Sequence, residues 1–154
     1  MIFGVGASGQ CDRSPTAPSA GSVRSIRAGT RFDRCAGYCF DRIEIDGAGA
    51  QYVQQSDLHE RVRFPDRHAS YQFGGREWFG LVAAIDRERL LRLPDRVECD
   101  GCVDEGAEWL EVTFSDRRRK SITYDFGRPP AELKALAGKI SEIRARLASE
   151  WDAY

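Results

Sequence analysis

Four of the five cysteines fall in two close pairs, Cys35 with Cys39 and Cys99 with Cys102, separated by about sixty residues. Each pair brackets a glycine and runs into a strand-like stretch, so each supplies two sulfurs from one turn. Four such thiolates can close a tetrahedral zinc site, and Cys-x3-Cys with Cys-x2-Cys is acceptable ligand spacing. The gap between the pairs far exceeds that of a zinc ribbon, so Cys35, Cys39, Cys99 and Cys102 form a metal site only if the two turns meet in space. Disulfide bonding is the rival. A bridge within one pair stabilises by about 2 kcal/mol on chain entropy, and one closing about sixty residues by about 4 kcal/mol. Four unlinked buried thiols are the third alternative, and Cys11 is left over in every case.

An active dithiol at Cys99 and Cys102 meets an electrostatic objection. A reactive cysteine needs a helix N-terminus or a nearby cation. Here Glu98, Asp100, Asp104 and Glu105 surround the pair and disfavour thiolate. Other catalytic templates are thinner. His59 and His68 lie in a polar stretch without a metalloprotease motif, and Asp41, Asp57, Asp66, Asp104 and Glu105 have no readable separation that would pair an acid with a base. Gly4, Gly6 and Gly9 satisfy a dinucleotide-loop spacing, but too few residues precede them for a strand, and Pro15 and Pro18 stand where the helix would begin. Arg117-Arg118-Arg119-Lys120 reads as a solvated hairpin tip, with an anion contact as the alternative.

The elements that would position these residues follow from periodicity. At 154 residues, 42% hydrophobic and 31% charged, the chain has the composition of a globular domain, and its net charge of -1 offers no field for nucleic acid or anionic lipid. No apolar run is long enough to span a bilayer. No export signal is visible at the start, so the compartment is left open. Residues 1–21 read as a flexible tail and 22–154 as a single α+β domain. Strands are expected over 23–30, 40–46 with an Asp46-Gly47 turn, and 51–53. The polar stretch 54–75 is expected to be a loop with one short strand around 61–64. A helix is expected over 77–93, with Trp78, Leu81, Val82 and Ile85 inward and an irregularity near Asp86.

Leu110, Val112 and Phe114 alternate as a strand, Ile122, Tyr124 and Phe126 pair with them, and Pro129-Pro130 opens a last helix bearing Leu133, Leu136, Ile140, Ile143 and Leu147. Glu132, Lys139, Glu142, Arg144 and Arg146 are assigned to the outer surface of that helix. The resulting order is β-β-β-α-β-β-α, an antiparallel sheet of about five strands covered on one face by two helices. Trp78, Trp109 and Phe114 are expected in the core. Trp109 has the opposite strand parity, and exposure there would mark a partner surface.

The run Ile26-Arg27-Ala28-Gly29-Thr30, then Cys35-Ala36-Gly37-Tyr38-Cys39, Ile43-Glu44-Ile45-Asp46-Gly47 and Tyr52 resembles the opening of the bacterial domain-of-unknown-function family numbered 6438. The ending Ile122-Thr123-Tyr124-Asp125-Phe126-Gly127, with Pro130, Leu133 and Leu136, is similar to that family's closing strand and helix. The likeness spans about 23–147. The family has proline just after its second cysteine, where Phe40 stands here, and Cys99 with Cys102 is not a family feature. The resemblance implies a fold and exported relatives, with no catalytic residue to carry over.

Two functional classes stay open on the residues alone. One is a non-catalytic binding or interaction module with structural cysteines, whose partner could be a protein. The other is a zinc- or thiol-dependent enzyme built from the cysteine turns. A cleft joining the cysteines to His59 or His68 would favour the enzyme, and a flat apolar patch around Trp109 the binder.

Overall fold

The structure is a computed structural model and describes residues 22–98 and 106–151. The expected tail, the glycine motif at its start, Cys11 and the Cys99–Cys102 pair all lie outside the described residues. The remainder forms an α+β layer in the order β1 (Val23–Arg31), β2 (Tyr38–Ile45), β3 (Gly49–Ser56), β4 (Arg67–Gln72), α1 (Gly75–Ala83), α2 (Arg87–Arg92), β5 (Arg96–Val97), β6 (Ala107–Phe114), β7 (Arg119–Asp125) and α3 (Lys134–Ser149). The strands make one sheet in the order β4-β3-β2-β1-β6-β7-β5, antiparallel except where β5 runs parallel to β7.

That corrects the expectation of five strands and two helices to seven strands and three helices among the described residues. β4 lies inside the stretch read as a loop, later than the short strand expected at 61–64. Only Ala69 and Tyr71 turn toward the core, too few apolar positions to show a period of two. β5 is two residues long and joins the sheet through the backbone, with the Thr123 N–H donating to the Asp95 carbonyl at 2.8 Å. The expected helix over 77–93 is two helices. The Asp86 side chain accepts from the Arg89 N–H at 3.1 Å and caps a new start. α3 begins at Lys134, after i→i+3 turns that bond the Leu133 N–H to the Pro130 carbonyl at 2.9 Å.

Strand parity decides the two faces. Ile26, Ile43, Ile45, Leu110, Val112 and Ile122 point to one side and meet Trp78, Leu81 and Val82 of α1, Leu90 of α2 and Leu136, Ile140, Ile143 and Leu147 of α3. Each such side chain contributes about 1.5–3 kcal/mol by leaving water. The opposite face is polar. Arg27 on β1 sits between Glu44 on β2 at 3.3 Å and Glu111 on β6 at 3.5 Å, and Glu111 also faces Arg119 at 3.6 Å. Trp109 lies on this face, half-buried because its indole covers Gly29, its cross-strand partner. A β-carbon at Gly29 would overlap both the indole and the Asp41 carbonyl. Trp109 therefore fills a gap within the sheet, and the flat apolar patch that would have marked a partner surface is replaced by this charge ladder.

At the β6–β7 tip Arg118 pairs with Asp116 at 3.5 Å, Arg119 with Glu111 at 3.6 Å, and Lys120 with Asp95 at 2.6 Å. Most of the basic cluster is thus already neutralised locally. Arg117 adopts φ 68°, a left-handed conformation that costs a side-chain-bearing residue about 1 kcal/mol. Arg117→Gly is therefore expected to raise stability by up to about 1 kcal/mol in urea unfolding, the relief of strain outweighing the added freedom of the unfolded chain. A loss of stability would contradict that reading of the turn.

Candidate functional site

The inward-facing rows of the sheet are apolar in the middle and turn polar at one end. Pairing sets Gln54 opposite Asp41, Asp41 opposite Thr30, Thr30 opposite Glu108 and Glu108 opposite Tyr124. Five adjacent strands therefore deliver one continuous polar row on the helix-covered side. Tyr52, one row further in, points its hydroxyl back toward the same end. α3 closes the row from above with Ser141 and Arg144.

These groups are joined to one another. The Thr30 N–H donates to Asp41 Oδ1 at 3.0 Å, the Tyr52 hydroxyl donates to Asp41 Oδ2 at 3.1 Å, and Gln54 Nε2 donates to Tyr52 Oη at 3.2 Å. Arg144 Nη2 lies 3.5 Å from Asp41 Oδ1, with both side chains only 15% exposed. Glu108 accepts a hydrogen bond from the Tyr124 hydroxyl. It has no cation within ion-pair distance among the described residues.

Burial pushes the Glu108 carboxyl above the usual carboxylate range, and the neighbouring Asp41 charge adds to it, against the lowering effects of the Tyr124 hydrogen bond and Arg144. Burial, followed by the Asp41 charge, pushes Tyr52 up to about 12. Burial and then Glu108 likewise raise Tyr124. Because Glu108 holds its proton more tightly folded than unfolded, its contribution to stability is present below the unfolded-chain value. It is lost as pH rises through the raised folded value. Urea unfolding across that window should show a slope that falls with pH in the wild type and flattens in Glu108→Gln. An unchanged slope in the variant would place the titration elsewhere.

A cavity of about 290 Å³ opens at this end of the sheet, between Asp41, Gln54 and Glu108 on the strands and Ser141 and Arg144 on α3. Its mouth is aromatic, with Phe32, Tyr38, Phe40 and Phe126 in the wall. Phe32 meets Phe126 edge to face at 4.7 Å between centroids, and Phe126 stays 41% exposed. Gly106 makes this wall possible: at φ 127° its backbone lies against the Phe32 ring, where a β-carbon would come within 2.6 Å of Cδ1.

The first cysteine turn abuts the same mouth. Cys35 and Cys39 are joined by a disulfide across a Cα–Cα distance of 5.6 Å, with Cys39 at the start of β2 beside Tyr38 and Phe40. The turn is also tied to the segment before β4, since the Gly37 N–H donates to Glu60 Oε2 at 2.8 Å and the Tyr38 hydroxyl donates to the Pro65 carbonyl at 2.9 Å. Both sulfurs of this pair are used by the bridge, so zinc ligation by Cys35 and Cys39 would first require its reduction. Cys39→Ser is expected to lower stability by about 2 kcal/mol without reductant, the value for so short a loop, and to remove the response of the wild type to dithiothreitol. Equal stability of variant and wild type would show that the bridge is not a staple.

Of the sequence candidates, neither histidine reaches the cavity: His59 is in the exposed segment after β3, and His68 on β4 faces the polar side of the sheet opposite Val53. No cluster of three or more metal-ligating side chains occurs among the described residues. The sequence alone does not mark Glu108, Gln54 or Arg144 as site residues, and Tyr52 enters it only through the family resemblance. A signal existed, because Asp41, Thr30, Glu108 and Tyr124 continue the inward parity of Ile43, Ala28, Leu110 and Ile122. Arg144, assigned to the outer surface, lies four residues after Ile140 and three before Leu147, at the rim of the buried stripe.

Fold and site together define an α+β protein with a polar, aromatic-rimmed cavity at one end of a helix-covered sheet. Comparison of the chain with family models, with curated proteins and with solved structures found no match. No helix among the described residues is long and apolar enough to cross a membrane.

Proposed function

We propose that this chain is a non-catalytic binding module that takes a small molecule in the cavity between the sheet end and α3, with the Cys35–Cys39 bridge as a structural staple beside the mouth. The observation that carries the reading is the combination of an open aromatic rim with a floor of fixed polar groups. Asp41 accepts from Thr30 and Tyr52 and faces Arg144, so its lone pairs are engaged in holding the floor together. Such a floor selects and orients a ligand. Among the described residues the cavity wall carries no histidine or cysteine, and its two aliphatic hydroxyls, Thr30 and Ser141, are the nucleophile candidates it offers.

Kinship with the family numbered 6438 belongs to the same proposal. It is supported by the Cys35-Ala36-Gly37-Tyr38-Cys39 turn leading directly into a strand, and by Asp46, whose carboxylate accepts from the Ala48 N–H at 2.8 Å in the following turn.

Saturation-transfer NMR against a library of small polar organic compounds tests the function. Bound compounds should be lost in Ser141→Trp, which fills the cavity from the exposed side of α3, and should be recovered chemically unchanged. Turnover of a bound compound would overturn the non-catalytic reading, and binding unaffected by Ser141→Trp would overturn the site.

A further inference from the structure

The charges around the cavity do not balance. Among the described residues two carboxylates, Asp41 and Glu108, face one guanidinium, and Arg144 approaches Asp41. Glu108 is left with a single neutral donor, the Tyr124 hydroxyl. A bound anion would face both carboxylates. A neutral ligand would leave the Glu108 carboxyl without a counter-charge and favour its protonated form, whereas a cation would hold it as the carboxylate.

The rim adds a second preference. Ring faces carry negative charge density and attract cations, most strongly where water is thinned out. One ring of this rim already does so within the chain, since the Arg67 guanidinium lies 4.6 Å over the Tyr38 ring. The cavity has room for one ring-sized group with a charged head, at the lower end of small-ligand sites. Resting on the binding-module reading above, we infer that the ligand is a small organic cation, an alkylammonium or its equivalent. Its head would pair with Glu108 and its apolar part would lie against Phe32 and Phe126.

An alkylammonium head can belong to a free amine or to a lysine side chain, and paired probes separate the two. Benzylammonium and N-acetyl-lysine N-methylamide are titrated into the isotope-labelled full chain, with benzoate and benzyl alcohol as controls matched in size to benzylammonium. Benzylammonium should shift the amides of Thr30, Gln54 and Glu108, with benzoate and benzyl alcohol binding at least tenfold more weakly. The tighter of the two cationic probes identifies the source.

Glu108→Gln keeps an acceptor for Tyr124 and should weaken the cation about tenfold, as for loss of a charge-assisted contact. Phe126→Leu, at an exposed position that does not threaten the fold, should weaken it about threefold. Benzyl alcohol or benzoate binding as tightly as benzylammonium would overturn the cation assignment while leaving the binding module intact. So would failure of both cations when other library compounds bind the cavity. Failure of every compound would overturn the binding module itself.

Discussion

Phe114→Ala is expected to cost about 3–5 kcal/mol, the range for truncating a fully buried ring. Phe114 has no exposed surface and ends β6 where the sheet turns into the β6–β7 tip. It opposes Val23 of β1, and its backbone carbonyl accepts from the Arg117 N–H at 3.0 Å. The outer side of the ring is sealed by Arg87, whose guanidinium lies 4.4 Å from the centroid while pairing with Asp116. That hydrogen bond, with the Arg118 N–H, holds the Asp116 carboxyl below its ordinary range. Loss of the ring removes apolar burial and the seat of Arg87 together, so the midpoint of thermal unfolding should fall by about 10 °C. Phe114→Leu, which keeps most of the volume, should cost under about 1.5 kcal/mol. Equal costs for the two variants would contradict the packing argument.

Arg144→Met is the second large effect. Methionine preserves the stem that packs beside Ile140 and Leu147 but strands the Asp41 carboxylate opposite Glu108. Removing one partner of a fully buried pair costs about 3–5 kcal/mol, and the 15% exposure of both side chains here reduces that to about 2–3 kcal/mol. Because the Arg144 charge lowers the Glu108 value, its removal should push the Glu108 carboxyl higher still and carry the falling pH slope of stability to higher pH. Adding Asp41→Asn should restore part of the loss, since the two residues belong to one network and their effects cannot be independent. Additive losses in the double variant would show that Arg144 and Asp41 act separately.

Much of the architecture was legible because burial imposes a period. Ile43 with Ile45, Leu110 with Val112 and Phe114, and the stripe from Leu133 to Leu147 each announce an element and its inward face. Where fewer apolar residues mark an element, the reading failed: β4 shows only Ala69 and Tyr71, and β5 is held by backbone bonds that leave no pattern in side chains. Asp86 was legible as an irregularity, but its capping bond, which divides α1 from α2, depends on a turn that periodicity does not encode.

The site was harder to read than the fold because it is made of residues from five strands and one helix that share nothing but parity and level. Asp41, Thr30, Glu108 and Tyr124 could have been aligned only by knowing that β1 pairs with both β2 and β6. The cysteines drew attention for their spacing, and the pair that lies in the described residues flanks the cavity mouth through Tyr38 and Phe40.

The central claim is that the polar row under α3 is the place where this protein meets its ligand. Backbone amide shift mapping of the wild-type chain during titration with a bound library compound tests it most directly. The perturbed amides should cluster at Thr30, Gln54, Glu108, Phe126 and Ser141. Perturbations centred instead on the exposed Leu58 and Val62, or on the polar sheet face around Arg27 and Trp109, would contradict it.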